Sequence, residues 1–98
     1  MKRRSQEPPA PLLEETVVLA GGARIALALW RESAGALRYR LCFTRAGACL
    51  VRYDNEQGRA LRRLQGRTLP YEFRSIEQLR YDFERAVEAA QAGDGAHP

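Results

Sequence analysis

Apolar and polar residues alternate strictly along residues 37–44, with Leu, Tyr, Leu and Phe at the odd positions and Arg, Arg, Cys and Thr at the even ones. A period of two is typical of a β-strand with one covered face. Ala46-Gly47 then supplies turn residues, and residues 48–54 are predicted to form a second strand that pairs antiparallel with the first. The pattern predicts a β-hairpin in the middle of the chain.

The pairing of this hairpin decides where its two cysteines lie. If Thr44 pairs with Cys49, then Phe43 faces Leu50 and Cys42 is a diagonal neighbour of Cys49. Diagonal neighbours in a sheet are too far apart for easy bridging. We therefore expect two reduced thiols, as is usual in a cytoplasmic protein.

Another hairpin is predicted earlier in the chain. Residues 13–19 and residues 24–31 alternate around Gly21-Gly22, and a two-residue Gly-Gly loop suits the positive φ angles of a tight hairpin turn. This register places Val18 opposite Ile25. The Ala-rich second segment is also compatible with a helix, but the glycines and the alternation favour a strand. The apolar side chains expected on its buried face are Ile25, Leu27 and Leu29.

The C-terminal third carries a helical pattern. Ser75 is a candidate N-cap, and Gln78 three residues later completes a capping box. The predicted helix runs from Ser75 to about Gln91, and Gly93-Asp94-Gly95 ends it. Its apolar face consists of Ile76, Leu79, Phe83, Val87 and Ala90.

These elements predict one small α+β domain over residues 12–91, in which a C-terminal helix packs on an antiparallel sheet of two hairpins. Residues 69–73 form a short fifth strand or an extended segment, and residues 59–68 are basic and irregular. The proline-rich residues 1–11 are expected to be a disordered tail. Residues 92–98 are expected to fray.

Composition narrows the function only slightly. A formal net charge of +4 favours polyanions or an acidic partner, but it suits a solvated basic surface equally well. No apolar run is long enough to cross a membrane, and the N-terminus does not resemble a signal peptide, so we expect a cytoplasmic protein without a membrane partner. His97 is the single histidine and no Cys-x-x-Cys motif is present, so we expect neither a metal nor a cofactor.

Several short motifs occur in a characteristic order along residues 13–90. They are Trp30-Arg31, Tyr39-Arg40, the Tyr-Asp-Asn-Glu-Gln-Gly turn at 53–58, Pro-Tyr-Glu-Phe at 70–73 and Ser-Ile-Glu-Gln-Leu at 75–79. In this order and spacing the chain resembles the TumE-like family, whose members are described as toxins of prokaryotic toxin–antitoxin modules. The resemblance implies an α+β toxin that acts on RNA or the translation machinery and is neutralised by a small cognate antitoxin.

One segment departs from that family. Its members usually carry a Lys-Gly-Asp-His-Arg-His segment after the turn, whereas residues 59–64 here are Arg-Ala-Leu-Arg-Arg-Leu. Loss of the histidines leaves open whether this chain is an enzyme of the ribonuclease type. The alternative is a non-catalytic, toxin-like module that binds nucleic acid or a protein partner through its arginines.

Three groups of candidate site residues follow. The first could clamp phosphates bidentately, or could simply solvate a mobile loop: Arg52, Arg59, Arg62, Arg63 and Arg67. The second consists of catalytic candidates whose residue types and positions fit turn and packing roles better: Tyr53, Asp54 and Asn55. The third lies on the polar helix face and could anchor a partner: Tyr81 and Arg85. An unpaired edge strand would also allow strand addition or homodimerisation.

Overall fold

A computed structural model of the protein describes residues 11–95, with side chains through residue 92. One antiparallel sheet contains six strands in chain order, and a C-terminal helix follows. The elements are β1 Pro11–Val18, β2 Arg24–Arg31, β3 Leu37–Arg45, β4 Ala48–Asp54, β5 Leu61–Leu64, β6 Arg67–Pro70 and α1 Ile76–Gly95. The predicted α+β class is confirmed. Of the predicted N-terminal tail only Pro11 is described, and residues 96–98 also lie outside the described residues.

The turn between β1 and β2 is longer than the predicted Gly-Gly loop. Leu19 N donates to Ala23 O at 2.7 Å, and a short 3₁₀ turn at Ala20–Gly22 fills the connection. Both glycines have positive φ, as predicted, but Ile25 pairs with Val17 rather than Val18. The predicted register was therefore wrong by one residue. That shift turns Val18 to the solvent, where 63% of it is exposed.

The second hairpin turns at Ala46-Gly47, and Thr44 pairs with Cys49 as predicted. Phe43, however, pairs with Val51 instead of Leu50. Leu50 is the extra residue of a β-bulge, and its carbonyl accepts a hydrogen bond from Gln65 N at 2.8 Å.

The bulge places Cys49 and Val51 on opposite faces of the sheet. Cys49 shares the face of Thr44 and Cys42, and its Sγ lies 2.7 Å from the Sγ of Cys42. The expectation that a diagonal position would separate the two sulfurs was wrong. Both residues are free cysteines in this structure.

Residues 59–68, which were expected to be irregular, contain a third hairpin. β5 and β6 pair antiparallel, and the turn between them has Gln65 at φ 51° and Gly66 at φ 89°. Two consecutive positive φ angles match a tight hairpin turn. The sequence concealed this strand because each face of β5 carries one leucine and one arginine, so apolar and polar residues do not alternate.

The helix α1 begins with the predicted cap, since Gln78 N donates to Ser75 Oγ at 3.0 Å. It continues to Gly95, past the predicted end. Its buried face contains the predicted residues except Ile76, which is 37% exposed: Leu79, Phe83, Val87 and Ala90. This face packs most closely against β4 and covers one side of the sheet. The buried residues of β2, β3 and β4 on that side are Leu27, Leu29, Tyr39, Leu41, Phe43, Val51 and Tyr53.

Candidate nucleic-acid interface

The arginines predicted to form one basic patch are divided between the two faces of the sheet. Arg62 pairs with Tyr53 and lies on the side covered by α1, whereas Arg63 pairs with Arg52 on the uncovered side, here called the open face. Arg67 pairs with Leu64 and returns to the helix side, and Arg59 is exposed before β5. The five arginines therefore do not form a single surface.

A groove between β5 and α1 brings together residues that the sequence had suggested for three different roles. It is lined by Tyr53, Arg62, Tyr81 and Arg85. Tyr53 was predicted as a catalytic residue, Arg62 as a nucleic-acid-binding residue, and Tyr81 and Arg85 as partner-binding residues. We call this the β5–α1 groove, and its cavity volume is about 410 Å³. Its remaining lining residues are Leu64, Asp82 and Ala86.

Arg85 and Tyr81 form the outer rim of the β5–α1 groove. They are one helical turn apart, and Arg85 Nη1 donates to the Tyr81 hydroxyl at 2.9 Å. The Arg85 guanidinium carbon also lies 5.7 Å from the centre of the Tyr81 ring. The hydrogen bond to Tyr81 raises the pKa of Arg85, which stays charged. With 52% of Tyr81 exposed, the rim offers a cation and an aromatic ring to the solvent.

Arg62 provides the inner cation of the groove. Its Nε is buried and has no hydrogen-bond partner in the described part of the chain. No carboxylate of residues 11–92 lies within ion-pair distance of its guanidinium. The Arg62 side chain lines the groove without an ion-pair partner among these residues, so its guanidinium can pair with an anion that enters.

Aromatic contacts and hydrogen bonds from outside the groove hold two of its lining residues, Tyr53 and Asp82. Tyr53 is 2% exposed and meets Tyr71 and Phe83 edge-on, with ring centres 5.0 and 6.0 Å apart. The Tyr71 hydroxyl donates to Asp82 Oδ2 at 2.6 Å, and Gln78 Nε2 donates to Asp82 Oδ1 at 2.8 Å. Sequence reasoning missed this role of Asp82. Its spacing from Gln78, four residues on one helix face, was the available signal.

The chemistry of these residues suits binding better than proton transfer. Burial, together with the hydrogen bond to Asp82, raises the pKa of Tyr71, so its phenol is protonated at neutral pH. Both carboxylate oxygens of Asp82 already accept hydrogen bonds. Neither group is free to take a proton from a substrate without breaking an existing contact.

Asp54 and Asn55 are engaged in the turn after β4. Asn55 Nδ2 donates to Leu37 O, and Asn55 Oδ1 accepts from Tyr39 N, both at 2.9 Å. The side-chain amide thus extends the edge of β3 as a backbone amide would. Asp54 accepts from Arg52 Nε at 2.6 Å and from Glu56 N at 3.3 Å. These contacts agree with the turn role, and neither residue lines the β5–α1 groove.

The open face carries arginines that are largely paired with acids. Its ion pairs measure 2.6–2.8 Å and are Arg38–Glu32, Arg40–Glu56, Arg52–Asp54 and Arg52–Glu56. The hydrogen bond to Asp54 raises the pKa of Arg52. Arg63 differs: within the described part of the chain its side chain has no ion pair and makes a long hydrogen bond of 3.5 Å from Nε to Thr68 Oγ1. Carboxylates therefore offset much of the positive charge on this face.

Comparison with family models, curated proteins and solved structures finds no match for this chain. Within the described residues, no helix is long and apolar enough to span a membrane. The same residues contain no group of three or more His, Cys, Asp or Glu side chains that could hold a metal ion. The geometry of the β5–α1 groove and the short motifs of the sequence are therefore the basis for a functional proposal.

Proposed function

We propose that this protein is the toxin of a prokaryotic toxin–antitoxin module and that it binds RNA, free or in the ribosome, through the β5–α1 groove. The observation that carries the RNA-binding part is the convergence of Arg62, Arg85 and the exposed Tyr81 on one groove. The motif order shared with the TumE-like family supports the toxin part, and such a protein would act in the cytoplasm.

Each group in the groove has a distinct task in this proposal. The Arg62 guanidinium, with its unpartnered Nε, receives a backbone phosphate, and Arg85 receives a second phosphate at the rim. The exposed ring of Tyr81 stacks on an unpaired base. This contact does not depend on the RNA sequence, because every base has an aromatic face. A small antitoxin with an acidic segment would neutralise the protein by occupying the same two guanidinium groups.

A second candidate is a non-catalytic module that keeps the toxin fold and binds RNA or a protein without harming the cell. The hydrogen-bonded state of Asp82 and the raised pKa of Tyr71 favour it, because they leave the groove without an available general base. Both candidates use the same groove, so they differ in consequence for the cell rather than in binding surface.

Induced expression in a bacterial host that lacks any neighbouring gene separates the two candidates. The toxin proposal predicts growth arrest by the wild-type chain and normal growth with the Arg62→Gln/Arg85→Gln double variant. Arg63→Gln is the matched control, because Arg63 is in the same strand on the open face. If cells with soluble, RNA-binding wild-type protein grow normally, the toxin proposal is contradicted and the non-catalytic binding module is supported.

A further inference from the structure

Two thiols meet on the open face, outside the proposed RNA-binding groove. The Sγ atoms of Cys42 and Cys49 are 2.7 Å apart, which is close to the length of about 2.05 Å that a disulfide bond requires. Cys49 pairs with Thr44 across the hairpin, which makes it a diagonal neighbour of Cys42 on the same face of the sheet. The pair is thus fixed by backbone pairing on two adjacent strands.

The surroundings of the pair permit chemistry at sulfur. Both cysteines are only partly buried, and they lie on the sheet face that α1 does not cover. Burial and the hydrogen bond with Cys42 raise the pKa of Cys49 to about 11, while the charges of Arg52 and Arg63 act in the opposite direction. These two charges offset only part of the shift, so the Cys49 thiolate, the form that attacks a disulfide, is disfavoured overall. A reaction between the two cysteines therefore rests on the short distance between their sulfurs.

We propose that Cys42 and Cys49 form a reversible oxidation site, in which a low-molecular-weight disulfide such as oxidised glutathione converts them into an intramolecular disulfide. One cysteine thiolate attacks a sulfur of the oxidant, forms a mixed disulfide and releases one glutathione thiolate. The second cysteine thiolate then attacks the protein sulfur of that mixed disulfide, and the second glutathione thiolate leaves. The protein loses two electrons and two protons, and the oxidant is reduced to two molecules of glutathione.

The test uses the full-length, fully reduced protein at low concentration. It is incubated with oxidised glutathione, quenched in acid, alkylated and measured by intact mass. The expected main product is a monomer that has lost two hydrogens and takes up no alkylating agent. Trypsin cuts between the two cysteines at Arg45, so the bridge joins the peptides 41–45 and 46–52. Glutathione adducts or intermolecular dimers as the main products would overturn the proposal.

Two controls separate the effect of the fold from the short sequence distance. Cys42→Ser and Cys49→Ser should each stop at a single glutathione adduct, because the resolving thiol is missing. The unfolded wild-type chain in concentrated urea should need more oxidised glutathione to reach the same bridged fraction as the folded chain. Equal or easier bridging in urea would contradict the proposal, since it would show that the fold does not bring the sulfurs together.

Discussion

Tyr39 is buried in the core, with 1% of the residue exposed. Its hydroxyl group has no hydrogen-bond partner among the described residues. Phe73 stacks on the Tyr39 ring with centres 5.5 Å apart. Burial raises the pKa of Tyr39 to about 12, and the charge of Asp54 adds to the shift. A buried phenol without a partner costs free energy, so this residue is a site where stability can be gained.

Tyr39→Phe should leave the free energy of unfolding at pH 7 unchanged or raise it by about 1 kcal/mol, because no hydrogen bond is lost. Since the folded state holds the Tyr39 proton more tightly than the unfolded chain, the wild type should lose stability as the pH rises from about 10 to 12. The variant should lose less over that range. Urea denaturation at several pH values measures both effects. A destabilisation above about 1 kcal/mol at pH 7 would mean that the hydroxyl has a partner.

At the scale of elements, two hairpin turns place a residue with a side chain in the left-handed region. Ala46 has φ 53° and Gln65 has φ 51°, and each precedes a glycine with positive φ. Asparagine tolerates this conformation better than alanine or glutamine does. Ala46→Asn and Gln65→Asn should each stabilise the protein by about 0.5–1 kcal/mol in chemical denaturation. A loss of stability in either variant would argue against these turn conformations.

The contact between α1 and the sheet gives a second prediction at this scale. Phe83 is 1% exposed and its ring meets Tyr53 edge-on. Phe83→Ala should cost about 3–5 kcal/mol, because it removes a large core side chain and leaves a cavity. The neighbouring exposed Glu84 is the control, and Glu84→Ala should change stability by no more than about 0.5 kcal/mol. A loss below about 1 kcal/mol for Phe83→Ala would show that this helix face is not core.

The same elements show how far the sequence alone could predict this fold. The alternation in β3 and the Ser75 N-cap of α1 depend on local residues, and both were predicted correctly. The predicted capping box is only half formed, because the Gln78 side chain donates to Asp82 instead. The register of β1 and the bulge at Leu50 depend on hydrogen bonds between segments, such as that from Gln65 N to Leu50 O, which no local pattern reveals. The β5–β6 hairpin was missed because the sequence Leu-Arg-Arg-Leu of β5 does not alternate between apolar and polar residues.

At the scale of the whole molecule, positive charge is distributed unevenly between the two faces. The open face neutralises most of its arginines with Glu32, Asp54 and Glu56. The β5–α1 groove has two arginines, and its one lining carboxylate, Asp82, is held by Tyr71 and Gln78. Residues that sequence reasoning assigned to separate roles meet in this groove because β5 pairs with β4 beneath α1. That tertiary contact could not be derived from spacing along the chain.

The salt dependence of RNA binding tests the groove most directly. Each phosphate contact to single-stranded RNA contributes about 0.7 to the slope of log K against log salt concentration, so Arg62→Gln/Arg85→Gln should reduce the slope by about 1.4 and weaken binding. Arg63→Gln should leave both nearly unchanged, and circular dichroism should show that each variant is folded. The account is contradicted if the folded double variant binds RNA with the wild-type affinity and slope, or if Arg63→Gln causes the larger loss.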